Sequence, residues 1–229
     1  MKKGRCIGLI GGLGVGAAIH YYKHLAEAHE KQGVSLDLVM VHAEVPRILE
    51  YVAANDRTGL ASYLTSFILR LQAAGAEFAV VPAVTPHFCL RELVAASPLP
   101  VLDIFKPLLE ELTTRSIRRV ALFGTRFVME SELYGALTGI EVIHPHPDEV
   151  NYIHNSYVEL ALQGKGSEEQ YRGLTDLAQR LCHRDNVETI LLAGTDLAVL
   201  FNEENTDFPH LDCAALHLRA ITQKSLAGL

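Results

Sequence analysis

The chain has 229 residues, 49% of them hydrophobic and 21% charged, with a formal net charge of −7 when its histidines are neutral. That length buries one large core or two of about 110 residues each, and no apolar run reaches the roughly 18 residues of a membrane span. The acidic balance, with basic residues scattered apart from 115–119, argues against a nucleic-acid partner, and a charged amino terminus running straight into a short strand argues for the cytoplasm rather than export.

The first strand starts at Cys6 and ends in the glycine-rich turn 11–16, which opens a helix over 17–31 with Ile19, Tyr22, Leu25 and Ala26 at helical spacing. Strand, glycine turn and helix form a place for an anion, because free N–H groups at a helix start face a phosphate or carboxylate. The turn loosely fits a dinucleotide fingerprint, but the acid expected about 20 residues later has only Asp37 or Glu44 to offer. A second strand over 36–41 leads to a polar loop through His42, Glu44 and Arg47, an arginine suited to a bidentate carboxylate contact. A helix over 58–74 carries Leu60, Leu64, Phe67, Ile68 and Leu71 on one face, and Gly75 stops it before the strand that ends at Pro82. A helix to Ala96, a short strand at Val101 and Leu102, and a helix over 105–114 follow.

The second half restarts at Arg119 with a strand ending in Gly124 and Thr125, a helix over 130–137 and a strand over 140–143. His144 and His146, each followed by a proline, read as an extended loop rather than a metal site, and the four cysteines show no ligand spacing. Helices over 149–163 and 168–183 precede a strand over 189–192, and a last helix over 214–225 is expected to cross back over the first half.

The course is run twice. Gly11 and Gly124 lie 113 positions apart, and Ala83 and Gly194 lie 111 apart, so the offset holds to within a small insertion. The expected fold is α/β, with two pseudo-symmetric parallel-sheet lobes, residues 1–102 with 208–229 in one and 103–207 in the other. Ligands of parallel sheets sit at the carboxyl ends of the strands, which puts Gly11, Ala83, Thr85, Gly124, Thr125, Gly194 and Thr195 around one cleft.

Gly11–Gly14, Pro82–His87, Gly124 and Thr125, the segment 149–165, Ala193–Asp196 and the segment 209–217 together resemble the aspartate/glutamate racemase family, in order and over nearly the whole chain. The resemblance implies two α/β lobes, no cofactor, a homodimer, and a cysteine at each of two strand ends. Two thiols suit the chemistry, since a planar carbanion loses its proton on one face and regains it on the other. Here those positions hold Ala83 and Gly194, Val84 replaces the neighbouring asparagine, and Asp196 stands where the family has glutamate. Neither alanine nor glycine carries a transferable proton, so thiol-pair racemisation is not expected. His87, Asp196 and Cys213 are the candidate substitutes for acid and base, and Gly11, Arg47, Val84, Thr85, Thr125 and Thr195 are the candidate ligand contacts. The expected ligand is a small carboxylate or amino acid, handled by an isomerase-family enzyme with altered acid–base residues or by a catalytically silent binding protein.

Overall fold

The computed structural model describes residues 3–228. In chain order the elements are β1 (Ile7–Gly11), α1 (Val15–Lys31), β2 (Leu38–His42), α2 (Val45–Ala53), α3 (Arg57–Ala73), β3 (Phe78–Val80), a 3-10 turn (Thr85–Cys89), α4 (Leu90–Ala96), β4 (Val101–Leu102) and α5 (Phe105–Thr114). The second half continues with β5 (Arg119–Phe123), α6 (Arg126–Glu130), the single turn α7 (Glu132–Gly135), β6 (Glu141–Val142), α8 (Pro147–Gln163), α9 (Glu168–Arg184), β7 (Thr189–Leu192), a 3-10 turn (Thr195–Val199), β8 (His210–Asp212) and α10 (Cys213–Leu226).

Two four-stranded parallel sheets result, ordered β2-β1-β3-β4 and β6-β5-β7-β8. The same order in both halves is the structural form of the near-constant sequence offset. Helices cover these sheets, so their central strands are mostly apolar; all five residues of β1 are buried, as are all four of β7. Because every strand is parallel, the ends of β1, β3, β5 and β7 point the same way within each sheet and carry the turns that meet between the lobes.

The tail expected in the first lobe is divided. β8 pairs with β7 and belongs to the second sheet, whereas α10 packs Ala214, Leu218 and Ile221 against Ile7, Leu9, Tyr21 and Phe78 of the first half. The amino-terminal end of α10, at Cys213 and Leu216, remains in the core of the second.

Three local expectations are corrected. Arg47 lies in helix α2 and not in a loop, because Pro46 is tolerated in the first turn, where its missing N–H costs nothing. The helix expected over 130–137 is instead α6, which begins at Arg126 and ends at Glu130, followed by Glu132, Leu133 and Tyr134 with left-handed backbone angles before Gly135. On α1 the buried face is Ala17, Ala18, Tyr21 and Leu25, which leaves Ile19 and Tyr22 exposed.

Candidate functional site between the lobes

The two echoing strand ends meet. Thr195, at the end of β7, donates its hydroxyl to the carbonyl of Pro82, beyond β3, at 3.1 Å, and Tyr134 of the second half donates to the carbonyl of Thr85 at 3.3 Å. A third contact crosses between the halves at the glycine turn. The backbone N–H of Ala17 donates to Asp196 Oδ1 at 3.0 Å, and the Tyr157 hydroxyl donates to Asp196 Oδ2 at 3.2 Å. The anion that the start of α1 invites is therefore the chain's own carboxylate. Gly14, at φ +143, makes room for it: a Cβ there would lie 2.6 Å from Asp196 Oδ2.

The three candidate proton carriers are constrained in different ways. His87 is buried, and its Nδ1 donates to the Ala83 carbonyl at 2.8 Å, which leaves Nε2 as an acceptor with no partner among the described residues. Burial lowers its pKa, so the ring is neutral. Asp196 is 1% exposed, and burial raises its pKa against the opposing pull of the Ala17 N–H and the Tyr157 hydroxyl. Cys213 is wholly buried, and burial, with Asp212 beside it, pushes its thiol far above the ordinary range. A thiol so shifted supplies no thiolate near neutrality.

The candidate ligand contacts divide likewise. Gly11 is buried at the end of β1, against Met40. Thr85 is half-buried, and Thr125 caps α6 by accepting from the Val128 N–H at 3.2 Å. Val84 is a core residue, packed into the second half's hydrophobic cluster with Ile104 and Phe105. Arg47 is exposed and pairs with Glu50 at 2.7 Å, one turn along its own helix. A cavity of about 1120 Å³ runs along α1 and α10, past His20, His24, Asp212 and Arg219, and is lined near the glycine turn by Gly16, Gly164 and Val199. Among the described residues, no group of three or more His, Cys, Asp or Glu side chains is placed to hold a metal, and no helix is long and apolar enough to cross a membrane.

The model of the Asp/Glu/hydantoin racemase family matches residues 10–221. The chain belongs to that family. A candidate Asp/Glu racemase from Yersinia pestis is 28% identical with a TM-score of 0.81, the match covering 98% of this chain and 99% of that one. An aspartate racemase homologue from Pyrococcus horikoshii OT3 is 21% identical, at a TM-score of 0.78 over 96% and 99% of the two chains. A glutamate racemase from Francisella tularensis, solved with D-glutamate, shares the fold at 15% identity and a TM-score of 0.63, over 99% of this chain and 84% of that one.

Within this family fold, Tyr157 is the residue that sequence reasoning missed. A Cβ built on Gly194 would lie 2.2 Å from Tyr157 Cε2, so the ring occupies the volume of a side chain at that strand end. Gly194 itself has an ordinary extended backbone, φ −131, so it is the ring and not the backbone that opposes a larger residue there. The only signal in the sequence was the missing side chain at 194, which leaves space for a neighbour without saying which one.

Proposed function

We propose that this racemase-family protein binds a small carboxylate or amino acid between its lobes, and that it does not racemise it by the two-thiol route. The observation that carries the reading is the pair of strand ends. Ala83 offers a methyl group, Gly194 offers none, and the space beside Gly194 is filled by an aromatic ring. The half-buried Thr85 and the capping Thr125 supply hydroxyls at the strand ends for a carboxylate. On this reading the protein is a cytoplasmic homodimer, needs no cofactor or metal, and has no nucleic-acid or membrane partner.

A second reading, an isomerase-family enzyme with altered acid and base, is favoured by one observation. A phenol and a carboxyl group, Tyr157 and Asp196, are hydrogen-bonded to each other beside the second strand end. A thermal-shift series with succinate, glutarate, aspartate and glutamate tests the binding that both readings require. Following α-proton exchange of L- and D-aspartate and glutamate in deuterated water separates them. Binding without exchange supports the first reading, and exchange that survives thiol alkylation supports the second.

A further inference from the structure

Among the described residues the two sheets have four edge strands, and three of them are blunted. β4 is two residues long and follows Pro100, β6 is two residues long and carries Glu141, and β8 is three residues long, follows Pro209 and ends in Asp212. Short length, proline and charge are the usual means of keeping a sheet edge from pairing with another chain. β2 has none of them. It runs for five residues, Leu38-Val39-Met40-Val41-His42, with no proline and no lysine, arginine or carboxylate. The Ile7 N–H donates to the Asp37 carbonyl and the Ala43 N–H to the Gly11 carbonyl, both at 2.9 Å. The odd positions of β2 therefore bond to β1, and the N–H and C=O groups of Leu38, Met40 and His42 face outward. The flank beside that edge is apolar. On α1, Val15, Ile19 and Tyr22 form one stripe and are 58, 62 and 53% exposed, and Met40 is 46% exposed. Met40 lies against this helix, since a Cβ on Gly11 would meet Met40 Sδ at 3.1 Å and Ala18 Cβ at 3.7 Å.

Whatever covers β2 must offer outward N–H and C=O groups in the same rhythm, which is the property of another strand. The rhythm of β2 is its own complement. Its three outward residues, spaced by two, are symmetric about Met40. A second β2 laid antiparallel across a twofold axis therefore pairs Met40 with Met40 and Leu38 with His42, and every outward group finds a partner. We propose that β2 is the self-association surface of this protein, joining the first-lobe sheets of two copies edge to edge into one continuous sheet. The proposal rests on the homodimer reading and locates its interface. The axis sets the two Met40 side chains side by side and puts both α1 helices on one face of the joined sheet, with their apolar stripes toward the seam. The side of the lobe measures about 25 Å along the 17 residues of α1 and, as two helix layers enclosing a sheet, about 30 Å across. Each copy then contributes about 750 Å², near the roughly 800 Å² that each partner gives to a stable interface.

Sedimentation equilibrium of the full chain at micromolar concentration tests the two readings separately. A monomeric parent protein would overturn the homodimer and this interface with it. In a dimeric protein, Met40→Lys sets like charges against each other on the axis and should weaken association about 100-fold, whereas Met40→Leu should leave it intact. Met40→Glu alone should also be monomeric. An equimolar mixture of Met40→Lys and Met40→Glu should recover the dimer, because only residues that face each other across the axis exchange a repulsion for an attraction. A dimer that persists in Met40→Lys would leave the homodimer standing and overturn β2 as its interface. If a charged variant fails to fold, Met40→Cys decides, in a Cys182→Ser background that leaves only the buried Cys6, Cys89 and Cys213 beside it. Directly opposed residues of a hydrogen-bonded antiparallel pair have Cα atoms about 5.5 Å apart, within disulfide reach, so mild oxidation should give a covalent dimer on a non-reducing gel. A folded Met40→Cys protein that stays uncrosslinked would overturn the pairing.

Discussion

The two strand ends, at Ala83 and Gly194, are filled in different physical ways. At Ala83 the position keeps a small side chain, and its carbonyl is held by His87 from one turn further on. At Gly194 there is no side chain, and the Tyr157 ring from another helix occupies the space. The first position holds a methyl group of its own, whereas at the second a neighbour's ring stands in the volume a side chain would take. A larger residue at the first asks for one added atom, but at the second it must displace the ring, because close-packed interiors admit no extra atoms without displacing others.

The largest effect should come from placing a side chain at Gly194. Gly194→Cys should cost about 3 kcal/mol, a melting temperature lower by about 6–12 °C, through overlap with the Tyr157 ring. Adding Tyr157→Ala should recover part of that loss, and strict additivity in the double variant would break the account. Neither single thiol should produce racemisation, because two opposed groups form one catalytic unit. Ala83→Cys with Gly194→Cys is the pair to assay, against the Tyr157→Ala background.

Acidification should come next, and it should act on the first strand end. His87 and His217 face each other, ring centroids 6.4 Å apart, with Tyr21, Phe105 and the carbonyl of Leu102 packed around them and Asp103 within electrostatic reach of His87. Burial first, and His87 second, lower the His217 pKa from 6.5 to about 3. Between those values the unfolded chain binds a proton that the folded chain refuses, so the stability is complete above pH 6.5 and drains away as pH falls toward 3. At pH 5 the loss from this histidine is about 2 kcal/mol. Urea midpoints measured from pH 7.5 to 4.5 should show the decline, and His217→Gln should flatten it whatever its effect at pH 7.5. Asp196, at the second strand end, works with the opposite sign, since a raised carboxyl pKa favours the folded state as pH falls. A slope unchanged by His217→Gln would place the acid sensitivity elsewhere.

Smaller effects probe the seam between the halves. Tyr134→Phe removes the hydrogen bond to the Thr85 carbonyl but keeps the ring against Phe88, Phe105 and Phe127, so it should cost about 1 kcal/mol in chemical denaturation. Ala83→Cys should be the mildest, under about 1 kcal/mol, since it adds one sulfur to a small residue. A cost at Ala83 equal to that at Gly194 would erase the distinction between the two strand ends.

Strand positions were the most legible part of the sequence. The run Thr189–Leu192 was bounded to the residue, and the pair Val101–Leu102 likewise, because short apolar runs between turn residues have few alternatives in a parallel sheet. Helix faces were less legible. Ile19 and Tyr22 have the right spacing for a buried stripe, but α1 is turned so that Tyr21 and Leu25 face α10 and the first sheet. Periodicity identifies a helix and leaves its rotation to whatever packs against it. Arg47 shows the same limit at the site, since a charged residue near a strand end points wherever its local helix sends it, here toward Glu50.

By itself the sequence determined the α/β class, the doubled course and the absence of a thiol at positions 83 and 194, because these rest on hydrophobic runs, a near-constant offset and residue identity. Only the tertiary structure decided that Asp196 would fill the anion place at the start of α1, that Tyr157 would fill the space at Gly194, and that α10 would serve both halves. Each of these joins residues far apart in the chain, and no local rule of spacing or propensity carries information about which distant side chain completes a site. The physical reason is that burial must satisfy every polar group and fill every volume at once, and that condition exists only when the two lobes are packed together.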